Sequence, residues 1–264
     1  MSEPHLKLDR EGHVLIVTMN RPEARNAWSL EMMARMWDAW QEIDGDPDIR
    51  VAILTGADGT FSAGADLKLM HGDQSANPWH ARFRADPELH WKSMLRHYTL
   101  KKPLIAAVEG FALGGGTEIL QATDIRVAGR SATFGLTEPK YGLFPLGGST
   151  VRLRRQIPHT LAMEMLLTGR QVSAEEALRF GFIGSVVDDG CALDAARALA
   201  ARIAANGPVA VQAIKASVLA GANLPEPEAL AKELEIGQPV FATRDAREGP
   251  RAFAERRTPQ FKGE

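Results

Sequence analysis

The chain has 264 residues, 45% of them apolar, and its 31 basic and 33 acidic side chains leave a formal net charge of −2. That length and apolar share suffice for a large core, built as one domain or as one domain with a helical tail. The two charge signs are well mixed, which excludes a whole-molecule field that would draw nucleic acid or an anionic membrane, so the expected partner is a small molecule.

In chain order, the opening stretch "MSEPHLKLDREGH" is polar and lacks the apolar run of a secretory signal or spanning helix. A cytoplasmic chain with no membrane partner is the expectation. "HVLIVTMN" (13–20), "VAILTGA" (51–57) and "PLIAAVEG" (103–110) are short apolar runs closed by glycine or polar residues, as buried strands are. Between the first two, Leu30, Met33, Met36 and Trp37 recur at helical spacing behind Ser29, a helix-capping residue. Strand, helix, strand in that order predicts a crossover with parallel pairing. "DIRVAG" and "ATFGLTE" are expected to continue the sheet. Past residue 150 the character turns helical: "SAEEALRFG" carries a capping box from Ser173 to Glu176 and a terminating Gly181, and "CALDAARALAARIAANG" is rich in alanine. The single cysteine, Cys191, has no disulfide partner within the chain.

The densest chemical signal is "GFALGGGTEIL" (110–120), where Gly114, Gly115 and Gly116 precede Glu118. Glycine lets a partner approach backbone amides closely, and a helix start leaves those amides free. Phosphate is the first anion to consider, yet neither the G-x-G-x-x-G spacing nor the G-x-x-x-x-G-K-[ST] loop is present. An oxyanion hole remains, with Glu118 as an acid or base beside the polarised group. A second glycine-bearing turn, "GTFSAGADLKLM" (59–70), also follows a strand; Ser62 misses the nucleophile-elbow spacing by one residue, which disfavours a serine hydrolase. Two such turns facing each other would each give one amide to a single oxygen. Glu138, after "ATFGLT", stands at the end of another apolar run, where α/β proteins place ligands. His71, His80, His90 and His97 share one region without metal-ligand spacing and are read as surface or packing residues. In the same region Trp79, Phe83, Trp91, Met94 and Leu95 are candidates for apolar pocket walls or ordinary core.

Taken together, "NRPEARNAWSLEMM", "FSAGADLKLM", "KKPLIAAVEGFALGGGTEILQATDIRVAG", "ATFGLTEPKYGLFP" and "FATRDAREGPRAFAERRTPQFK" resemble the enoyl-CoA hydratase/isomerase (crotonase) family over residues 13–262. The resemblance implies an α/β fold, a spiral of ββα repeats over residues 1–200 with a C-terminal helical trimerisation region at 201–264. It implies a homotrimer or a dimer of trimers. It places the oxyanion-hole amides at Ala65 and Gly115, the catalytic carboxylates at Glu118 and Glu138, and the CoA channel at Ala24, Ala63, Asp66 and Lys68, with Lys262 toward a CoA phosphate. The implied activity is hydration of a 2-enoyl-CoA thioester with CoA as part of the substrate and no metal or redox cofactor. Double-bond isomerisation, which needs only one acid, is the alternative within the family. One branch of the family binds RNA, but the basic residues of 244–262 are interleaved with acids. The segment after Glu138 departs from the usual hydratase pattern, with Leu146 following Pro145 where a glycine is common.

Overall fold

The computed structural model describes residues 3–70, 72 and 76–264; of the four histidines above, His71 lies outside them. Strands β1 (Leu6–Glu11) and β2 (Val14–Met19) form a hairpin turned at Gly12, whose φ of +60° suits glycine. The opening stretch is thus a charged edge strand, which protects the sheet from further pairing. Helix α1 (Leu30–Gly45) starts where Ser29 accepts the Met32 N–H, and it returns the chain to β3 (Val51–Gly56), parallel to β2 from Val14↔Val51 to Met19↔Gly56. The buried stripe of α1 is Met32, Met33, Met36, Trp40 and Ile43. Leu30 and Trp37 flank it half-buried, because Leu30 borders a cavity and Trp37 packs edge-on against Tyr98.

Short helices α2 (Leu67–Met70), α3 (His80–Ala85) and α4 (Leu89–Ser93) lead to β4 (Leu104–Val108), parallel to β3. From here the chain repeats a pattern. Strand β4 lies in the large sheet; Gly110, at φ +56°, turns the chain into β5 (Phe111–Leu113) of a second sheet, and α5 (Gly115–Leu120) follows. Strand β6 (Ile125–Gly129) then returns to the large sheet, and β7 (Thr133–Gly135) to the small one. "DIRVAG" therefore continues the large sheet as expected, whereas "ATFGLTE" does not. The Ala132 N–H closes a turn onto the Gly129 carbonyl that swings β7 out of the large sheet, to pair with β5 in parallel.

Helices α6 (Ser149–Gln156) and α7 (His159–Thr168) precede β8 (Gln171–Ser173), α8 (Ala174–Arg179) and β9 (Ser185–Val187). The cap on α8 is half of the expected box: Ser173 accepts the Glu176 N–H, but the Glu176 carboxylate pairs with Arg170 instead. The large sheet has the order β1-β2-β3-β4-β6-β9 and the small one β5-β7-β8. This is the α/β spiral of repeated strand, strand, helix turns.

One face of the large sheet carries Val14, Ile16, Val51, Ile53, Ile105 and Val127 against Ala192, Ala196 and Ala200 of α9 (Ala192–Ala204). The other face buries α1 and the small sheet, with Trp40 and Phe134 among its largest side chains. After α9 the chain bends by 107° into α10 (Pro208–Gly221), followed by α11 (Glu226–Gly237) and α12 (Arg244–Ala254). α10, α11 and the 3₁₀ turn Gln238–Ala242 leave Ile214, Val218, Leu230, Leu234 and Phe241 exposed, apolar surface that the described residues do not cover. No single helix among the described residues is long and apolar enough to cross a membrane.

Candidate active site

The glycine triplet is a backbone device. Gly114, at φ +52° and ψ −124°, occupies a conformation open to glycine and hands β5 to α5. Its N–H donates to the Gly135 carbonyl at 2.8 Å, which pins the turn to β7. The second turn is packed directly against it: the Leu113 N–H donates to Ser62 O at 2.9 Å, and a Cβ on Gly64 would lie 2.7 Å from Gly115 N. A Cβ on Gly116 would lie 2.6 Å from Ser62 O. Only glycine permits this approach, which sets Ala65 and Gly115 side by side. Among the described residues neither their N–H groups nor any described side chain satisfies the other: both amides lack an acceptor. Ser62 is structural, since its hydroxyl donates to Asn26 O and accepts the Gly64 N–H.

Ala65 and Gly115 line a cavity of about 420 Å³ together with Asp66, Glu118 and Glu138. Glu118 projects from α5 and is 4% exposed. Burial raises its pKa, against the backbone amides of Gly147 and Ser149 and the charge of Arg152. The Ser149 N–H, at the start of α6, lies 3.4 Å from Oε1. Glu138 opens a single 3₁₀ turn, Glu138–Tyr141, beyond β7. Its Oε2 is buried without a partner, and burial, with the Glu118 charge adding to it, pushes its pKa up to about 7. The two carboxylates thus sit in unlike settings: Glu118 has donors and a cation behind it, Glu138 little besides its own backbone. Such a division is how one pocket keeps a base and an acid at the same pH.

Apart from His90, the remaining described walls are apolar. Leu30 and Met33 come from α1, Leu69 from α2, Trp91 from α4, Met94 from the residue that ends it, and Leu143, Phe144 and Leu146 from the segment after Glu138. Asp66 is committed: Arg21 binds Oδ2 at 2.6 Å, and Oδ1 accepts the Lys68 and Leu69 N–H groups at the start of α2. Although burial works against it, these partners hold its carboxyl below the usual range. Ala24 ends a short 3₁₀ turn next to Arg25, whose carbonyl accepts the Ala63 N–H at 2.9 Å. Ala63 and the exposed Lys68 therefore lie within the 59–70 turn, Ala24 adjoins it through Arg25, and none of the three lines the cavity. Lys262 lies elsewhere. Its N–H donates to Asp245 at 2.8 Å, and it lines a separate groove of about 580 Å³ with Arg244, Arg247, Arg251 and Arg257.

The enoyl-CoA hydratase/isomerase family profile matches residues 9–264. The chain belongs to the enoyl-CoA hydratase/isomerase family. It is 55% identical to an enoyl-CoA hydratase of Mycobacterium tuberculosis, over 98% of this chain and 97% of the relative. It is 40% identical to the (E)-benzylidenesuccinyl-CoA hydratase of Thauera aromatica, over 97% and 98% of the two chains. The crystal structure of an enoyl-CoA hydratase from Mycobacterium tuberculosis superposes with a TM-score of 0.89 at 41% identity, covering 99% of this chain and all (100%) of the other.

In this family member, the residues that sequence reasoning did not reach are those of the cavity's far walls. Leu30 is expected as core, His90 as a surface or packing residue, and Leu143 and Phe144 carry no periodic signal; Leu146 is marked in the sequence only by its departure from the usual hydratase pattern. Of the five candidate wall residues, Trp91 and Met94 line the cavity; Trp79, Phe83 and Leu95 do not. Among the described residues no three His, Cys, Asp or Glu side chains form a metal cluster.

The raised pKa of Glu138 has a measurable cost. An unfolded glutamate titrates near its ordinary value, about 4.3. Between that value and about 7 the folded chain keeps a proton that the unfolded chain has lost. Stability therefore falls as pH rises across this window and is lowest above it. Glu138→Gln removes that slope, so the variant is expected to exceed the native protein in unfolding free energy at pH 8 and to lose the advantage near pH 4. Denaturant titrations at the two pH values read the difference.

Proposed function

We propose that this enzyme is an enoyl-CoA hydratase, which adds water across the double bond of a 2-enoyl-CoA thioester to give the 3-hydroxyacyl-CoA. The observation that carries this reading is the pairing of two carboxylates in unlike settings, Glu118 buried and Glu138 half-buried, with two acceptorless amides on one cavity wall. The thioester carbonyl oxygen takes the Ala65 and Gly115 N–H groups, which draws electron density from the double bond and makes Cβ electrophilic. Water lies between Glu118 and Glu138. Glu118, the anion, removes a proton as the water oxygen bonds to Cβ; the π electrons move toward the carbonyl oxygen as an enolate, and Glu138 delivers its proton to Cα. Both new bonds form on the face that the carboxylates share, so addition is syn. Transfer of the proton from Glu118 to Glu138 through solvent restores the resting state. The reaction as proposed needs no metal or redox group, since CoA belongs to the substrate.

Ala24, Ala63, Asp66 and Lys68 are proposed to flank the CoA moiety, next to the turns that hold its thioester. Lys262 lies in its own groove within one chain, so its proposed contact with a CoA phosphate crosses to a neighbouring copy. The exposed apolar face of α10 and α11 supports assembly as a homotrimer or dimer of trimers. Sedimentation is expected to give a trimer or hexamer at micromolar concentration; a stable monomer would remove both proposals. A cytoplasmic location fits the lone, exposed, unpaired Cys191.

The relative from Thauera aromatica is named for an aryl-bearing acyl group, and the walls formed by Trp28, Trp91 and Phe144 support an acyl chain larger than crotonyl here as well. The test is a panel of crotonyl-, 2-octenoyl- and cinnamoyl-CoA, followed by loss of conjugated-thioester absorbance. Turnover is expected on at least one, with the larger acyl groups favoured; turnover on none would reject hydration.

A further inference from the structure

Among the described residues, the acyl end of the cavity is apolar except at one point. The carboxylates of Glu118 and Glu138 are committed to the reaction, that of Asp66 to Arg21 and α2, and the Trp28 indole nitrogen is buried away from the open space. His90 is different. It lines the cavity from α4, is half-buried, and neither ring nitrogen has a hydrogen-bond partner among the described residues. Trp91 meets the imidazole edge-on, with ring centroids 4.7 Å apart at 81°, which restricts its orientation. Burial lowers its pKa, so the ring is neutral near pH 7, with one nitrogen to donate and one to accept.

A polar group set in an apolar wall and left without a partner rewards a ligand that brings one, and it disfavours the same ligand without it. The cavity also has room, at about 420 Å³, for much more than the four carbons of a crotonyl group. We infer that the preferred acyl chain carries a neutral oxygen function, a keto or hydroxyl group beyond the reacting double bond, which hydrogen-bonds to the His90 imidazole. A carboxylate is not the expected group, because among the described residues no uncommitted cation lines the cavity. This inference rests on the hydratase reading for its reaction, but its recognition step stands apart from the chemistry.

The test uses 2-octenoyl-CoA and its 5-oxo, 6-oxo and 7-oxo derivatives, compared as ratios of kcat/KM, with octanoyl-CoA and the matching oxo-octanoyl-CoA thioesters compared as ratios of Kd by calorimetry. At least one oxo derivative is expected to beat the plain chain by about tenfold in both ratios, the worth of one hydrogen bond in a dry site. His90→Leu should bring that ratio close to one, whatever it does to the absolute rates, and His90→Gln should restore part of it. Ratios near one for every derivative in the native enzyme, or a preference that survives His90→Leu, would overturn the inference. Loss of hydration with the binding preference intact would strike the hydratase reading alone.

Discussion

Glu118→Gln and Glu138→Gln are each expected to cut the hydration of crotonyl-CoA by about 10² to 10⁴-fold, the usual worth of a positioned acid or base. Glutamine keeps the size of the side chain, so the fold and CoA affinity should hold, as calorimetry with a saturated acyl-CoA would show. The double variant should be little worse than either single one, because both carboxylates act on one water and one addition step. The single variants should differ in their pH behaviour. In the native enzyme kcat/KM should fall as pH rises through about 7, where Glu138 loses the proton it must give. Glu118→Gln removes a neighbouring negative charge that helps raise Glu138, so the residual activity of that variant should lose its alkaline limb at lower pH. A single variant with near-native hydration would mean that one carboxylate suffices, as an isomerase needs.

Gly115→Pro is expected to lower turnover by about 10² to 10³-fold, since it deletes one of the two amides assigned to the enolate oxygen. The position suits the experiment: Gly115 is the first residue of α5, where proline fits a helix without costing an intrahelical hydrogen bond. Steric effects need a control, because a Cβ here lies 3.3 Å from Trp28 Cζ3. Gly115→Ala adds that carbon and keeps the N–H, so the ratio of the two variants isolates the donor. Equal activity in folded Pro and Ala variants would remove Gly115 from the oxyanion hole.

The parts of the fold legible in the sequence were those with local causes. Ser29 caps α1 by its own side chain, and the run from Val14 to Met19 pairs with β3 because both are continuous apolar segments. The glycine turns were legible because close backbone approach restricts residue type. The first strand was not, since its charges read as a solvated terminus until β2 lies beside it. The pairing of Glu118 with Glu138 came from family resemblance and not from spacing. Its physical cause is the Leu113↔Gly135 register between β5 and β7, which brings the segments after both strands together; strands of three residues are too short to carry a period. His90 was out of reach for a related reason. It enters the cavity only through the packing of α4 on α1, and nothing in its immediate sequence marks that contact.

Two carboxylates acting on one water make a claim about atoms, and product analysis in D₂O tests it most directly. Incubation of the native enzyme with a 2-enoyl-CoA that it turns over should bleach the conjugated thioester and give 3-hydroxyacyl-CoA. The product should carry one deuterium at Cα, delivered on the same face as the new hydroxyl at Cβ. A product with its double bond moved and no oxygen added, or deuterium at Cα on the opposite face from the hydroxyl, would contradict the mechanism.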